Sequence, residues 1–570
     1  MPVRFRFVQI CLAALASLEA CSAQAPPSSD GVARFLGTLR QAQEASQAKQ
    51  WTEAASLWEE VTKENPVTGD FWLQLARARH NKQDCAGAIT AYEKAMSLGV
   101  NGLRSDIPYE VARCYARLGK RNLALDWFEK AMKLGYRDLQ NAQQDAELQS
   151  LHSDLKFREL TATVDPSSMS RDEGWRFDLR LMAREIARRG YAPFRQISRE
   201  EFDRRVAVLD ATVPKLTDMQ IVIEMMKLTA AVGDGHTMIY AFFERPELLQ
   251  NVPVEFAFFE EGLFIVAADL RFSDLLGARV IRFGDHSVAE VSEALDRLIS
   301  RDNPAAPQVI GPMRMRNLPL LAGLGLIPDP TQVSLTVRDQ SGKVRTVTLP
   351  ADSNIPNRKL WDGYPKNWQR FVDTLPGPLP LYLKNPYKDY WLDYLSDSKT
   401  LYLQWNHVQS DPEELIEKFF DRVAQLVQEH AVDKLVLDMR WNNGGDTGLI
   451  PAVLESLIRD VRIDQPDKLF VIVGHRTFSA AQNAVTLIAR FTPAVFVGDT
   501  TGSRPNFIGE DVPLQLPYSK LMVSISDLYW QSSWPTDYRV WITPLIYVPP
   551  RFSEYRQNHD SALQAILNYR

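Results

Sequence analysis

The chain has 570 residues, of which 45% are hydrophobic and 24% are charged, the composition of an ordinary folded protein. A single hydrophobic core does not grow to this size, so the length predicts several domains. The formal net charge of −6 gives no basic surface and excludes nucleic acid as an expected partner. No cluster of Cys and His has metal-ligand spacing, and the sequence implies neither a metal nor an organic cofactor.

The first 25 residues follow the order of an export signal. Two Arg precede the mostly apolar run FVQICLAALASL, and small residues follow it. This run is too short to cross a membrane as a helix. Cleavage after Ala25 would release the protein, whereas the sequence around Cys21 resembles a lipoprotein signal. We expect an exported protein, either secreted or held in the periplasm or cell envelope, with membrane attachment only through a lipidated Cys21 of an outer-membrane lipoprotein. A cytosolic protein with an accidental apolar start is the remaining alternative.

Residues 26–166 contain a repeat. The segments WTEAASLWEEV, CAGAITAYEKA and NLALDWFEKA share an Ala that is followed four positions later by an aromatic residue. The steps from Ala54 to Ala88 and from Ala88 to Ala124 are 34 and 36 residues. A small residue lets two helices approach, and an aromatic residue on the same face fills the groove between them. The period matches the all-α tetratricopeptide repeat. Such an array could recruit a protein partner, or it could serve only as a spacer or an oligomerisation surface.

Three further segments precede the last third of the chain. Apolar residues three and four apart predict an α-helical bundle over 167–245, which ends in VGDGHT and exposes His236 in a turn. Short strands around one helix predict an α+β module over 246–350. Its GARVIRFG turn and following helix resemble a peptide-binding PDZ module, although another small mixed domain could show the same pattern. Residues 351–395, rich in Pro and Trp, are predicted to be a linker.

Residues 396–570 alternate strands with helices. The strands carry few charges, which predicts a mostly parallel sheet covered by helices on both faces. Reactive residues in such sheets lie at the carboxyl ends of the strands. Two segments, DMRWNNGG from Asp438 and HRTFSAAQNA from His475, occupy this position.

Each of these two segments has a structural and a chemical interpretation. Ser479 could be a nucleophile whose neighbouring amide, that of Ala480, faces developing negative charge, or it could simply cap the following helix. The adjacent Gly444 and Gly445 could bring amides close to a ligand or form only a tight turn. Asp438 is expected to hold this loop through an ion pair with Arg440.

Taken together, the motifs D-x-R-x-N-x-G-G, T-x-S-A and, further on, G-D-T-T-G-x-R resemble those of the tail-specific, or C-terminal processing, serine proteases. This match covers 396–570. With VGDGHT, the bundle and the PDZ-like module, the region from about 170 onward resembles the tricorn-core and retinoid-binding-protein-like branch. The resemblance implies a multidomain fold that ends in an α/β protease core of crotonase-like ββα layers. It also implies a serine endopeptidase that acts on proteins or peptides.

The resemblance assigns the nucleophile to Ser479 and raises the question of its base. The Lys that serves the processing proteases 25 positions later is replaced here by Arg504. Arg stays protonated at neutral pH and cannot take a proton. The tricorn-like branch uses a His in a Gly-x-x-His turn, which His236 matches, and an imidazole with an ordinary pKa of about 6.5 suits the role. His407 and His475 are the rivals, and His475 is expected to point away from the site.

The remaining roles are less constrained by spacing. Three acidic residues are candidates for orienting the imidazole: Asp234, Glu510 and Asp537. Asp234 could instead bind only its own turn. The oxyanion is expected to meet backbone amides of three residues: Gly444, Gly445 and Ala480. Two side chains are expected to bind substrate: Asn442 and Arg504.

A different class of function remains open. The replacement of the family's Lys by Arg504 and the drift of its motif to GDTTGS are compatible with a catalytically inactive protein. Such a protein would keep the protease fold as a binding or scaffold protein of the cell envelope.

Overall fold

A computed structural model describes residues 29–100, 106–134, 136, 138–161, 165–240, 245–352, 364–510 and 512–570. The predicted export signal and Cys21 therefore lie outside the described residues. Two compact units divide the chain after Thr161. Within the ranges given above, every helix is too short or too polar to cross a membrane.

The first unit is helical throughout its described part. Small residues and aromatic residues of the repeat pattern form its core: Ala54, Ala88 and Ala124 are fully buried, and Trp58, Tyr92 and Phe128 are at most 2% exposed. Cys85 and Cys114, which lie in the described part of this unit, are also buried and form no disulfide. The α-helices are α1 (Ser29–Gln47), α2 (Trp51–Glu64), α3 (Gly69–Asn81), α4 (Cys85–Leu98), α5 (Asp106–Arg117), α6 (Arg121–Lys133), α7 (Leu139–Gln144) and α8 (Leu155–Leu160).

The second unit begins with three helices, α9 (Arg171–Arg189), α10 (Arg199–Thr212) and α11 (Asp218–Val232). Capping boxes start two of them, since Ser170 pairs with Glu173 at α9 and Thr217 pairs with Gln220 at α11. Gly233 ends α11 in the left-handed conformation, with a φ of 82°. The chain then enters the short strand β1 (Met238–Ile239).

An antiparallel sheet with helices follows, in the region where the sequence predicted short strands around one helix. Its main order is β2-β3-β4-β6-β7, while β5 pairs with β4 and β8 pairs with β3. The elements are β2 (Val254–Phe259), β3 (Gly262–Asp269), β4 (Arg279–Phe283), β5 (His286–Ser287), α12 (Val288–Asp296), α13 (Ala306–Arg314), α14 (Leu318–Gly323), β6 (Gln332–Arg338), β7 (Val344–Pro350) and β8 (Trp368–Arg370).

The C-terminal region is built on a six-stranded sheet. Its elements are α15 (Leu381–Lys384), β9 (Tyr390–Leu395), β10 (Thr400–Trp405), α16 (Ile416–Glu429), β11 (Lys434–Asp438), α17 (Ile450–Arg459), β12 (Leu469–Val473), α18 (Ala480–Phe491), β13 (Val495–Gly498), β14 (Asn506–Gly509), β15 (Val512–Gln515), β16 (Met522–Ile525), β17 (Leu528–Gln531), β18 (Ile546–Tyr547), α19 (Phe552–Tyr555) and α20 (Ser561–Asn568).

The order of this sheet is β18-β13-β12-β11-β10-β9, and all neighbours are parallel except β9 and β10. Helices α16, α17 and α18 cover one face and α20 covers the other. The prediction of a mostly parallel sheet covered on both faces is therefore confirmed. Two smaller sheets complete the region: β14 pairs with β17, and β16 lies between β1 and β15 and pairs with both.

Part of the predicted linker is folded onto both sheets. Strand β8 pairs with β3 of the antiparallel sheet, and β9 pairs with β10 of the C-terminal sheet. Buried aromatic side chains hold the segment, including Trp368 and Trp391, each 8% exposed. Trp368 and Trp391, two of the Trp residues of the predicted linker, are thus anchors, because each removes a large apolar surface from water.

Candidate active site

Ser479 occupies a strained backbone position at the start of α18. Its φ of 56° and ψ of −127° lie in a region that L-residues rarely adopt, at a cost of about 1–3 kcal/mol. Ser479 stands at the N-cap position, yet its hydroxyl makes no capping hydrogen bond to the helix. The interpretation of this residue as a simple helix cap therefore does not fit the geometry.

The hydroxyl of Ser479 instead meets His236. The distance from His236 Nε2 to Ser479 Oγ is 3.0 Å, although 243 positions separate the two residues in the chain. The turn after α11 delivers the imidazole because Met238 and Ile239 of β1 pair with β16 of the C-terminal region. A strand pairing thus fixes where the helical segment places its His.

Two aromatic rings enclose the imidazole. The ring of Phe478 stacks on His236 with a centroid distance of 4.6 Å, and the ring of Phe507 lies at 5.7 Å, within 10° of parallel. His236 is only 9% exposed. Rotation of the ring out of this position would break both stacks, so the aromatic pair orients Nε2 toward the hydroxyl. Sequence reasoning missed both residues, because neither lies in a spacing that points to His236.

Asp234 organises the backbone of the His236 turn. Its Oδ1 accepts the backbone N–H of His236 at 2.9 Å, the N–H of Thr237 at 2.6 Å and the hydroxyl of Ser526 at 2.7 Å. This is the turn-binding alternative that the sequence offered for Asp234. The carboxylate joins the turn to the segment that follows β16, and so fixes the approach of the His236 ring.

Asp302 is a second brace of this turn that the sequence did not reveal. It is 8% exposed and lies between the His236 turn and the segment after β13. Its Oδ1 accepts the N–H of Gly235 at 2.8 Å, and its Oδ2 accepts the hydroxyl of Ser503. Burial, together with repulsion from Asp234, raises the pKa of Asp302 to about 7 against the hydrogen bonds and the attraction of Arg504. No motif or spacing links residue 302 to the GDGHT turn, which is why it was missed.

Replacing Asp302 with Asn is expected to flatten the pH dependence of stability. The folded-state pKa of about 7 exceeds the ordinary 3.8, so between these values the folded protein holds a proton that the unfolded chain releases. Wild-type stability therefore falls as the pH rises through this window, by up to about 4 kcal/mol from this group. The variant keeps an oxygen for the Gly235 amide and loses the slope. Urea unfolding at about pH 5 and pH 8 compares the two proteins; equal pH slopes would contradict the assignment.

The loop after β11 is held by a buried ionic network. Arg440 pairs with Asp438 at 2.9 Å, as the sequence predicted, and also with Asp560 at 3.0 Å. The hydroxyl of Tyr402 donates to Asp438 at 2.7 Å. Burial raises the pKa of the Asp438 carboxyl against the attraction of Arg440. These contacts make the loop a rigid support rather than a source of titrating groups.

Asn442 and Gly444 differ from their predicted roles. Asn442 is fully buried; its Nδ2 donates to the carbonyl of Trp405 and its Oδ1 accepts the N–H of Gly444, both at 3.0 Å. The side chain braces the loop and is not placed to contact substrate, and the amide of Gly444 is already occupied. Among the described residues, no hydrogen bond takes the N–H of Gly445 or of Ala480, so these two amides remain the candidate oxyanion donors.

Gly444 is nevertheless essential for the close approach of this loop to Ser479. Its φ is 111°, and an added Cβ would lie 2.7 Å from Ser479 Cβ and 3.0 Å from the Ala480 nitrogen. We expect Gly444→Ala to displace the hydroxyl and the amide and to lower kcat/KM about 10²–10³-fold. Gly474→Ala is the matched control, because its nearest contact would be 3.6 Å. Equal activity of the two variants in a peptidase assay would contradict this placement.

Asp537 and Glu510 are the two other acidic residues that the sequence proposed for orienting the imidazole. Asp537 is held by Arg539 at 2.7 Å and by the hydroxyl of Ser533 at 2.5 Å, contacts that keep its pKa well below the usual range. The Asp537 carboxylate is therefore engaged by these two partners. Glu510 directly follows β14, the strand that carries Phe507, and has a φ of 72°.

Arg504 and the two rival histidines have structural partners. Arg504 Nε donates to the backbone carbonyl of Asp302 at 2.7 Å, which ties the predicted substrate-binding side chain to the wall of the site. His407 pairs with Asp389 at 2.9 Å, and His475 pairs with Asp499 at 3.2 Å. Of the three histidines considered, His236 is the one that the structure brings to Ser479.

Comparison with solved structures shows what this fold is similar to. Mature CPAF in complex with lactacystin aligns with 70% of this chain and 99% of its own, at 12% identity and a TM-score of 0.50. A second structure of mature CPAF gives the same TM-score and identity with 98% of its chain covered. The photosystem II D1 C-terminal processing protease aligns over 69% of this chain at 12% identity, with a TM-score of 0.32. No protein-family model and no curated protein matches the sequence.

Proposed function

We propose that this protein is a serine endopeptidase that hydrolyses peptide bonds in proteins or peptides. The observation that carries the proposal is the 3.0 Å contact between His236 Nε2 and a strained Ser479 hydroxyl that does not cap its helix. A hydroxyl exposed by backbone strain and hydrogen-bonded to an imidazole is the arrangement that nucleophilic catalysis requires. The similarity of fold to mature CPAF is compatible with the proposal.

In the proposed reaction, Ser479 Oγ attacks the scissile carbonyl carbon while His236 Nε2 takes the hydroxyl proton. The N–H groups of Ala480 and Gly445 stabilise the tetrahedral oxyanion, and the N-terminal end of α18 adds its dipole. The C–N bond breaks as His236 returns the proton to the leaving amine, which leaves an acyl-enzyme ester on Ser479. Water, deprotonated by His236, then attacks the ester, and the proton returns to Ser479 as the acid product leaves.

Glu510 is our candidate for the group that orients the His236 imidazole. Asp537 is engaged by Arg539 and Asp234 by its own turn, whereas Glu510 follows the strand whose Phe507 ring stacks on the imidazole. Its positive φ is a second strained backbone position near the site, a type of feature that clusters at functional sites.

We further propose roles for the remaining regions. The first unit is a tetratricopeptide array that could recruit a protein partner, and the antiparallel sheet with its helices is a PDZ-like module that docks substrate. The C-terminal region is a crotonase-like protease core. The protein is exported to the periplasm, the cell envelope or the medium, and it is either released by cleavage after Ala25 or attached to a membrane only through a lipidated Cys21. The buried Ala and aromatic residues of the repeats support the assignment of a tetratricopeptide array. The two Arg followed by an apolar run at the N-terminus support export.

The proposal is tested by incubating the purified protein with an unfolded protein such as reduced casein and identifying the products by mass spectrometry. New internal termini that appear with the wild-type chain and not with Ser479→Ala would show endopeptidase activity. Absence of cleavage, together with saturable binding of the same casein, would favour the alternative of a non-catalytic binding protein.

A further inference from the structure

Strands β14 and β17 form a two-stranded ribbon beside the proposed catalytic pair. Their antiparallel register places Phe507 directly opposite Trp530 and Gly509 directly opposite Leu528. Residues that oppose each other in an antiparallel pair, and residues two apart along one strand, point to the same face of the sheet. One face of the ribbon, the apolar face, therefore carries these four residues.

The apolar face is the one directed to His236. The centroid of the Phe507 ring lies 5.7 Å from that of the imidazole, in a nearly parallel stack, and the imidazole Nε2 lies 3.0 Å from Ser479 Oγ. The other face has a different neighbour, since its Tyr529 stacks on Tyr191 at 5.7 Å. The side chains that share a face with Phe507 therefore lie on the side of the ribbon where the catalytic pair stands.

The end of β17 is fixed to the helix that follows the proposed nucleophile. The hydroxyl of Ser532 donates to Asn483 Oδ1 at 2.8 Å, and Asn483 comes about one helical turn after Ser479. Trp530 lies two residues before Ser532 and opposite Phe507. Its side chain is thus placed between the contact to α18 and the stack on the imidazole.

The apolar face keeps surface that a ligand can reach. A Cβ added at Gly509 would lie 3.0 Å from Trp530 Cδ1 and 2.7 Å from Phe507 Cε2, so both rings use the space that the missing side chain leaves. Trp530 is nevertheless partly exposed, and Leu528 is 41% exposed. The ribbon therefore presents an indole ring and an aliphatic side chain to solvent next to the buried Phe507.

The composition of the apolar face indicates which substrate side chain it accepts. Its three side chains, those of Phe507, Leu528 and Trp530, are all apolar. A large apolar side chain packed on them leaves water, and an aromatic ring gains most because it can also stack on an indole. A carboxylate or an ammonium group would lose hydration without gaining an ionic partner from this face.

We propose that Leu528 and Trp530 form the wall of a substrate subsite for a large apolar side chain, aromatic above all, of a residue that flanks the scissile bond. Because the face is continuous with the stack of Phe507 on His236, its occupant belongs to the peptide that reaches Ser479. The assignment rests on the proposed peptidase function and names its substrate class. Trp530 sets specificity and takes no part in the proton transfer.

A series of matched peptides tests this subsite with the full chain. The peptides share the sequence around a bond that the wild-type protein cleaves in casein, and the residue on each side of the bond is changed in turn to Phe, Ala or Asp. At one of the two positions, kcat/KM for the Phe peptide is expected to exceed that for the Ala peptide by at least about tenfold. The Asp peptide is expected to be the poorest substrate.

Trp530→Ala should lower kcat/KM for the Phe peptide at least about tenfold and that for the Ala peptide by less than about threefold. Partial unfolding would lower both rates together, so the ratio separates specificity from stability. Trp530→Lys places a cation on the apolar face and should raise the rate for the Asp peptide relative to the Phe peptide. Tyr529→Ala is the matched control, because this neighbour points to the opposite face, and it should keep the wild-type ratio.

A Phe-to-Ala ratio near one at both positions in the wild type would overturn the subsite. An unchanged ratio in Trp530→Ala, or an equal change in Tyr529→Ala, would overturn it as well. If Trp530→Ala does not fold, Trp530→Lys decides, because unfolding cannot produce a gain for the Asp peptide, and the absence of that gain counts against the subsite. Failure of the wild type to cleave either casein or any peptide would contradict the peptidase function itself, and the subsite with it.

Discussion

Replacement of Ser479 by Ala is expected to lower kcat for peptide hydrolysis about 10⁶-fold. The reason is that Ala keeps the Cβ and the backbone of this position but has no oxygen to form the acyl-enzyme. The loss of the hydroxyl also removes the 3.0 Å contact to His236. Rates measured with a fluorescent casein at saturating concentration give kcat directly, and the wild-type rate must exceed the variant's by several orders of magnitude.

The matched control for this experiment is Ser398→Ala. Among the described residues, that hydroxyl donates to the carbonyl of Leu395 at 3.4 Å, in the turn between β9 and β10. Its removal should leave kcat unchanged. A Ser479→Ala protein that retains more than about 1% of the wild-type kcat would exclude Ser479 as the nucleophile, since residual catalysis without a nucleophile is far smaller.

The second large effect is expected for His236→Gln, with a loss of kcat of about 10⁵–10⁶-fold. Gln can still hydrogen-bond to the Ser479 hydroxyl, but its amide cannot take a proton near neutral pH. The substitution also removes the ring that stacks between Phe478 and Phe507. A loss of kcat with a nearly unchanged KM would locate the effect in the chemical step.

His407→Gln and His475→Gln are the controls, because their imidazoles pair with Asp389 and Asp499 rather than with the serine. Both variants should retain kcat within a few-fold of the wild type. If His407→Gln abolished activity while His236→Gln remained active, the contact between His236 and Ser479 would not be the one that activates the hydroxyl.

Short-range patterns in the sequence predicted much of the architecture. The Ala–aromatic spacing placed six core residues of the first unit, and the strands of the last third, which carry few charges, predicted its mostly parallel sheet. Within the predicted linker over 351–395, β8 forms three residue pairs with β3 and β9 forms six with β10, and the sequence analysis predicted neither strand. Pairing with a distant strand, rather than local preference, orders these residues.

Prediction of the active site from the sequence has the same limit, because contacts between distant segments leave no local pattern. Ser479 and His236 lie in recognisable motifs, so the sequence singled both out although 243 positions separate them. Phe478, Phe507 and Asp302 were missed because their importance comes from packing across segments that no spacing connects. Asn442 lies in a recognisable motif, yet its role is to brace a loop, which only its contacts reveal.

A fluorophosphonate probe tests the central claim most directly, because it bonds covalently to a serine only when that hydroxyl is activated. The wild-type chain is treated with the probe and digested, and the labelled peptide is identified by mass spectrometry. We predict one modified serine, Ser479, and no label there in His236→Gln. An unmodified Ser479 in the folded wild-type protein, or equal labelling of Ser479 in His236→Gln, would contradict the account.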